Sequence, residues 1–261
     1  MTNQIIPQRF EELKSKLRNI PHLPLLVSID ANRLQEEVKS IPYPLLPYQS
    51  TFQEAHNHYQ NVWKGISLIS LDGQIYSDLH DGGDLEKTLG MYQKTGLTDY
   101  CPYAYEVLDL MGAGESRARI LSITPGGTLG WHSHNLELKQ PEHLITMQIP
   151  IMMPKGFKYS VISYMEYRGS DFSVAPTVYE KHYEPGNVYI FNSYHYHNVF
   201  NNDALEDRLT LMCYVNLKNP KVFDIVEKAV EQYNGPLIES YDSYVNKMNT
   251  RLGINENSDI R

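Results

Sequence analysis

A mainly β protein with flanking helices is what this sequence predicts, and three observations carry the prediction. Short apolar runs bounded by Pro, Gly, Asn or Asp recur from Arg117 to Val215. Apolar residues at helical spacing are confined to the segments on either side of that region. The 261 residues can bury a full core as one domain, with no internal repeat, P-loop or dinucleotide fingerprint. The expected organisation is a helical and mixed support region over 1–115, a β core over 116–218 and C-terminal helices over 219–261.

In chain order, Phe10, Leu13 and Leu17 predict a helix over 7–19, stopped by Pro21 and Pro24. Residues 25–29 read as a strand, and Asp30 caps a helix over 31–40 with Leu34 and Val38 inward. Residues 63–71 alternate as a strand closed by Asp72-Gly73. The Gly- and Asp-rich 74–100 reads as an extended loop with a short helix over 85–92, and is a candidate lid. A helix over 103–111 ends at Gly112 and Gly114. Strands then follow at 117–123, 129–132, 144–152, 157–166, 177–183, 188–191, 197–200 and 208–215. Val222, Ile225, Val226 and Ala229 share one face of a helix over 221–232, broken by Gly235-Pro236, and a last helix is expected over 239–251.

Chemistry gathers in the β region. His132 and His134 stand two apart on a strand-like run, so their imidazoles face the same way. His197 lies at the start of a later strand and offers a third ligand. Two or three such ligands with open positions are how non-haem Fe(II) sites are built. His195 shares the period of His197 and is a rival ligand. His143 and His182, near turns, are expected to be solvated, and His56 and His58 lack a supporting strand.

At these residues the sequence resembles the Fe(II)- and 2-oxoglutarate-dependent oxygenases of the aspartyl/asparaginyl β-hydroxylase-like branch, which includes free-proline hydroxylases. The matching residues are Pro125-Gly126, His132, the segment Met147-Gln148-Ile149-Pro150, Gly186, Phe191-Asn192, His197, Val199, Asn201 and Arg208. The resemblance implies a double-stranded β-helix, a jelly-roll or cupin-like barrel. It makes His132 and His197 iron ligands and sets Arg208 against the distal carboxylate of 2-oxoglutarate, as a bidentate guanidinium fork suits. Ser122 and Gln148 fall where secondary 2-oxoglutarate contacts are made. His134 stands where many relatives carry Asp; it is open as a third ligand, as a neighbour of the ligands, or as unconnected with metal.

The implied activity is hydroxylation of a C–H bond in an amino acid, an amino-acid residue or a small metabolite, using Fe(II), 2-oxoglutarate and O2 and releasing succinate and CO2. No acid–base residue is required for hydrogen abstraction, so none is named. The same spacing also resembles the two cupin motifs, so the rivals are a three-histidine dioxygenase without 2-oxoglutarate and a non-catalytic ligand-binding barrel. A net charge of −8 argues against nucleic acid and anionic membranes as partners. With no membrane-length apolar run and two separated cysteines, a cytoplasmic monomer or homodimer is expected.

Overall fold

The computed structural model describes residues 7–47, 62–77, 88–134, 143–163, 177–203, 205–240 and 243. Within them the chain runs α1 (Pro7–Arg18), β1 (His22–Ser28), α2 (Ala31–Ser40), β2 (Leu46–Pro47), β3 (Trp63–Ser70), β4 (Gln93–Lys94) and α3 (Pro102–Leu110). It continues through β5 (Ala118–Ile123), β6 (Leu144–Met152), β7 (Phe157–Ile162), β8 (Val178–Lys181), β9 (Asn187–Phe191), β10 (His197–Asn201), β11 (Arg208–Asn216) and α4 (Pro220–Glu231).

Two antiparallel sheets result. The larger has the order β1-β9-β6-β11-β5-β3-β2, with β4 also on β3, and the smaller is β10-β7-β8. Among the described residues they form a jelly roll whose sheets do not close into a barrel. Strand alternation assigns the two faces of the large sheet. Met147, Ile149, Ile151, Leu211, Cys213, Ile120 and Ile190 turn one way, into the core shared with Leu13 and Leu17 of α1, Leu34 of α2, Leu108 of α3 and Val226 of α4. Tyr189, Phe191 and Ile123 turn the other way and meet Phe157, Tyr159, Val161 and Val199 of the small sheet.

Local chemistry fixes the helices. The Asp30 side chain accepts from Arg33 N at the start of α2, and Asn219 accepts from Lys221 N at the start of α4, where Pro220 has no N–H to satisfy. Cys101 gives α3 no side-chain cap; instead Glu37 of α2 accepts from Tyr103 N and Ala104 N at 2.8 and 3.0 Å. A carboxylate from a neighbouring helix thus satisfies the orphan amides.

Several expected boundaries move. The first strand starts earlier, at His22, and carries Pro24, which an edge strand tolerates. The run at 129–132 makes isolated bridges, Thr128 to Phe200 and His132 to His197, and no continuous strand. Residues 88–90 form a turn, while the rest of the expected short helix through 87, residues 78–87 of the candidate lid, and His56 and His58 lie outside the described residues. So does nearly all of the expected helix at 239–251. Among the described residues, no helix is long and apolar enough to cross a membrane.

Candidate metal centre and anion pocket

The turn after β5 builds the first half of the site. Gly126 adopts φ +71, a conformation that favours glycine, and a Cβ on Gly127 would stand 2.4 Å from Val62 Cγ1 and 2.8 Å from Thr124 O. Both positions therefore require glycine. The turn is tied to β10 by Gly126 N donating to Asn201 O at 2.8 Å and Asn201 N donating to Gly127 O at 2.9 Å. Asn201 is fully buried, and its Nδ2 donates to Ile123 O and Glu206 O at 3.0 and 2.8 Å. From this clamp the chain runs antiparallel to β10 until His132 and His197 exchange both backbone hydrogen bonds, at 3.0 and 2.9 Å.

That register brings three imidazoles together. One nitrogen from each of His132, His134 and His197 lies within 4.8 Å of the others, and among the described residues no carboxylate joins them. Ring centroids are 4.2 Å apart for His132 and His197, 4.9 Å for His134 and His197, and 5.4 Å for His132 and His134. His132 Nδ1 lies 3.1 Å from Gly130 O, and His197 Nδ1 lies 2.9 Å from His195 O. A carbonyl only accepts, so each Nδ1 carries the proton and each Nε2 keeps its lone pair. Burial lowers the pKa of both rings, that of His197 well below the ordinary range, with the neighbouring imidazoles adding to the effect. Neutral, oriented imidazoles are metal ligands by type.

His195, the rival, is turned away: its ring nitrogens lie 3.1 Å from Ser163 O and 3.1 Å from Arg18 O. His143 is buried and not solvated, because its backbone is drawn into the sheet end, where its carbonyl accepts from Leu217 N. His182 is half-buried, with Nδ1 donating to Phe157 O at 2.9 Å.

Beyond the imidazoles, between the sheets, stands Arg208, only 3 % exposed. Its Nη2 donates to Gln148 Oε1 at 3.2 Å and to the Tyr159 hydroxyl, and its guanidinium lies over the rings of Phe157 and Tyr159 at 5.0 and 5.2 Å. Tyr159 and Thr210 also donate to Gln148 Oε1, at 3.1 and 3.4 Å. Arg208 Nε has no hydrogen-bond partner, and among the described residues no carboxylate pairs with the group. Burial pulls the guanidinium pKa down, against the opposing pull of Tyr159, yet an arginine stays charged in proteins. A buried guanidinium with an unpartnered Nε is suited by its chemistry to an anionic ligand. Ring contacts join the two ends of the site: Tyr159 to Phe191 at 5.2 Å, and Phe191 to His197 at 4.7 Å.

Gln148 thus lies against Arg208, whereas Ser122 does not. Arg208 pairs with Ile123, so Ser122 points to the helix-covered face, where its hydroxyl donates to Asp207 at 3.0 Å. Tyr159 and Thr210 were not singled out as cofactor contacts in the sequence. The alternation of Phe157, Tyr159 and Val161 is the signal that marks Tyr159 as inward; Thr210 shares the face of Arg208 by the same period.

The family described as Aspartyl/Asparaginyl beta-hydroxylase matches residues 30–217. Three solved structures are similar in part. They are a 2OG-Fe(II) oxygenase family oxidoreductase from Burkholderia pseudomallei (13 % identity, 78 % of this chain and 88 % of that one, TM-score 0.46), a Pseudomonas putida prolyl-4-hydroxylase (10 %, 79 % and 98 %, 0.41), and the non-heme alpha ketoglutarate dependent epimerase SnoN from nogalamycin biosynthesis (13 %, 90 % and 95 %, 0.42). No curated protein sequence matches the chain. The family match defines the class: a non-haem iron oxygenase that uses Fe(II), 2-oxoglutarate and O2. Within that class, the chain belongs to the aspartyl/asparaginyl β-hydroxylase family, whose match spans most of its length.

Proposed function

We infer that the protein hydroxylates a C–H bond of an amino acid, an amino-acid residue or a small metabolite, with His132, His134 and His197 holding the iron and Arg208 holding 2-oxoglutarate. The observation that carries this reading is the pairing of the imidazole cluster with a buried arginine that has no carboxylate partner among the described residues. Each half fits its ligand by donor chemistry: neutral nitrogens for a borderline cation, and a planar fork for a carboxylate.

When bound, iron with 2-oxoglutarate and oxygen supplies the oxidising power, with succinate and CO2 as co-products. The chain's own residues bind and orient. Gly130 O and His195 O keep the ligand rings aimed through their Nδ1 protons. Gln148 and Tyr159 hold one edge of the Arg208 guanidinium, leaving Nε for the distal carboxylate. Phe191 and Tyr159 wall the space between and exclude water. On the same sheet face, Tyr214, 6.1 Å from His134, joins Leu121, Leu144 and Met212 as an apolar floor for a substrate. Ser122 is left out of the proposed set, and no general acid or base is assigned.

The test is anaerobic titration of the Fe(II)-loaded protein with 2-oxoglutarate, following the visible metal-to-ligand charge-transfer band. Wild type should develop the band, and Arg208→Ala should need at least about 100-fold more 2-oxoglutarate, the lower end of what breaking a buried charge pair costs. No band with iron demonstrably bound would overturn the reading in favour of a three-histidine dioxygenase independent of 2-oxoglutarate.

A further inference from the structure

Behind the site lies a stack of rings that the hydroxylation chemistry does not use. Tyr159 stacks on Tyr183 at 4.0 Å and 22°, and Tyr183 stacks on Tyr189 at 4.0 Å and 4°. Through Tyr159 and Phe191 the stack is continuous with the ring of His197. Tyr183 is fully buried, and its hydroxyl lies 2.9 Å from His22 Nδ1. The other ring nitrogen of His22, Nε2, lies 2.9 Å from Tyr179 O. A carbonyl only accepts, so Nε2 carries the proton, Nδ1 is the bare base, and Tyr183 donates to it.

We propose that Tyr183, paired with His22, is an internal electron donor that quenches the oxidised iron centre when oxygen is activated with no substrate in place. In that step one electron leaves the Tyr183 ring, through Tyr159, for the metal centre. The phenolic proton moves to His22 Nδ1, giving a neutral tyrosyl radical beside an imidazolium, while the centre gains the one electron. The oxidant is the centre itself after its reaction with O2 and 2-oxoglutarate. A small reductant such as ascorbate or a thiol then returns the electron, and His22 returns the proton.

The geometry selects Tyr183 over its neighbours. Tyr159 donates to an amide oxygen and is bound by Arg208, so it has no base to take its proton and a cation that opposes oxidation. The Tyr189 hydroxyl accepts from Glu184 N at 3.1 Å and bonds the Asn187 side chain, whereas an imidazole nitrogen stands against the Tyr183 hydroxyl. Burial keeps His22 neutral, with a pKa lowered to about 4, and holds the Tyr183 phenol protonated. A cleft of about 530 Å3 lined by His22, Tyr179, Lys181 and Tyr233 lies beside the pair and offers a small reductant a way in. A purely structural pair would satisfy the same hydrogen bonds and carry no radical.

The experiment is rapid freeze-quench electron paramagnetic resonance of the Fe(II) protein with 2-oxoglutarate and oxygen, without substrate, alongside succinate measurement. Wild type should show a tyrosyl signal that ascorbate removes. Tyr183→Phe, which keeps the ring stack, should lose it and accumulate oxidised residues around the metal centre, and Tyr189→Phe should keep it. His22→Gln, with its fold checked by circular dichroism, should lose the signal because glutamine offers no base. Succinate without a radical in wild type, or an unchanged radical in Tyr183→Phe, would overturn the proposal. Absence of both succinate and radical would overturn the 2-oxoglutarate reading, and this proposal with it.

Discussion

At the scale of single residues, the site is defined by charges that the fold leaves exposed to one another or alone. Burying the Arg208 charge with no carboxylate partner among the described residues is unfavourable to folding. Arg208→Met should therefore raise the apo melting temperature while abolishing the stabilisation by 2-oxoglutarate. In wild type that stabilisation should reach about 2.7 kcal/mol at 100-fold excess over Kd; calorimetry with and without 2-oxoglutarate checks both. His22 makes a second prediction. Its pKa of about 4 lies below the 6.5 of a free imidazole, so between those values the unfolded chain binds a proton that the folded chain refuses. Stability is complete above pH 6.5 and falls as pH drops toward 4, by up to about 3 kcal/mol. Urea unfolding at intervals across that range should show the fall, and His22→Gln should flatten it.

At the scale of elements, the turn and strand around Asn201 place one imidazole-bearing segment against another. Asn201→Ala would leave the carbonyls of Ile123 and Glu206 without their buried donor, at about 1–3 kcal/mol for each group left unsatisfied. The expected outcome is a lower urea midpoint and weaker Co(II) binding, since His132 is registered on His197 through the same pair of strands. Gly127→Ala should act in the same direction by overpacking against Val62 and Thr124. Much of this was legible in the sequence: the Pro-Gly-Gly turn, the spacing of His132 and His134, and the apolar runs of β6, β9 and β11. What was not legible is how strands are registered on one another. Ser122 sits one residue from a site-facing position, and only the pairing of Arg208 with Ile123 shows that it points the other way. The contact of Tyr159 with Gln148 and Arg208 is hidden for the same reason, because Gln148 lies across the gap between sheets. The segment at 129–132 reads as a strand by pattern but pairs only at Thr128 and His132.

At the scale of the molecule, the large sheet backed by four helices forms one layer, and the three strands β10, β7 and β8 form a smaller one across the site. His197 and Tyr159 belong to the smaller layer, Arg208 and Gln148 to the larger. On the proposed assignment, metal and co-substrate would bridge the two layers. Loading the protein with Co(II) and 2-oxoglutarate should slow amide exchange in β7, β10 and residues 128–134 more than in β6 and β11 at the helix-covered face. A uniform slowing across both sheets would contradict this division.

The two carbonyl tethers, Gly130 O on His132 and His195 O on His197, have a consequence for electroneutrality. A carboxylate in their place would lend the ring partial anionic character, and a carboxylate ligand would cancel one unit of charge outright. Three imidazoles held by neutral carbonyls cancel nothing, so a divalent ion here retains its entire +2. A dianion would compensate it in one step, and Arg208 would remain as a further positive charge in the proposed site. Such a centre should be sensitive to the anion composition of its medium, and small dicarboxylates, including succinate, the co-product of the proposed reaction, should compete for the same place.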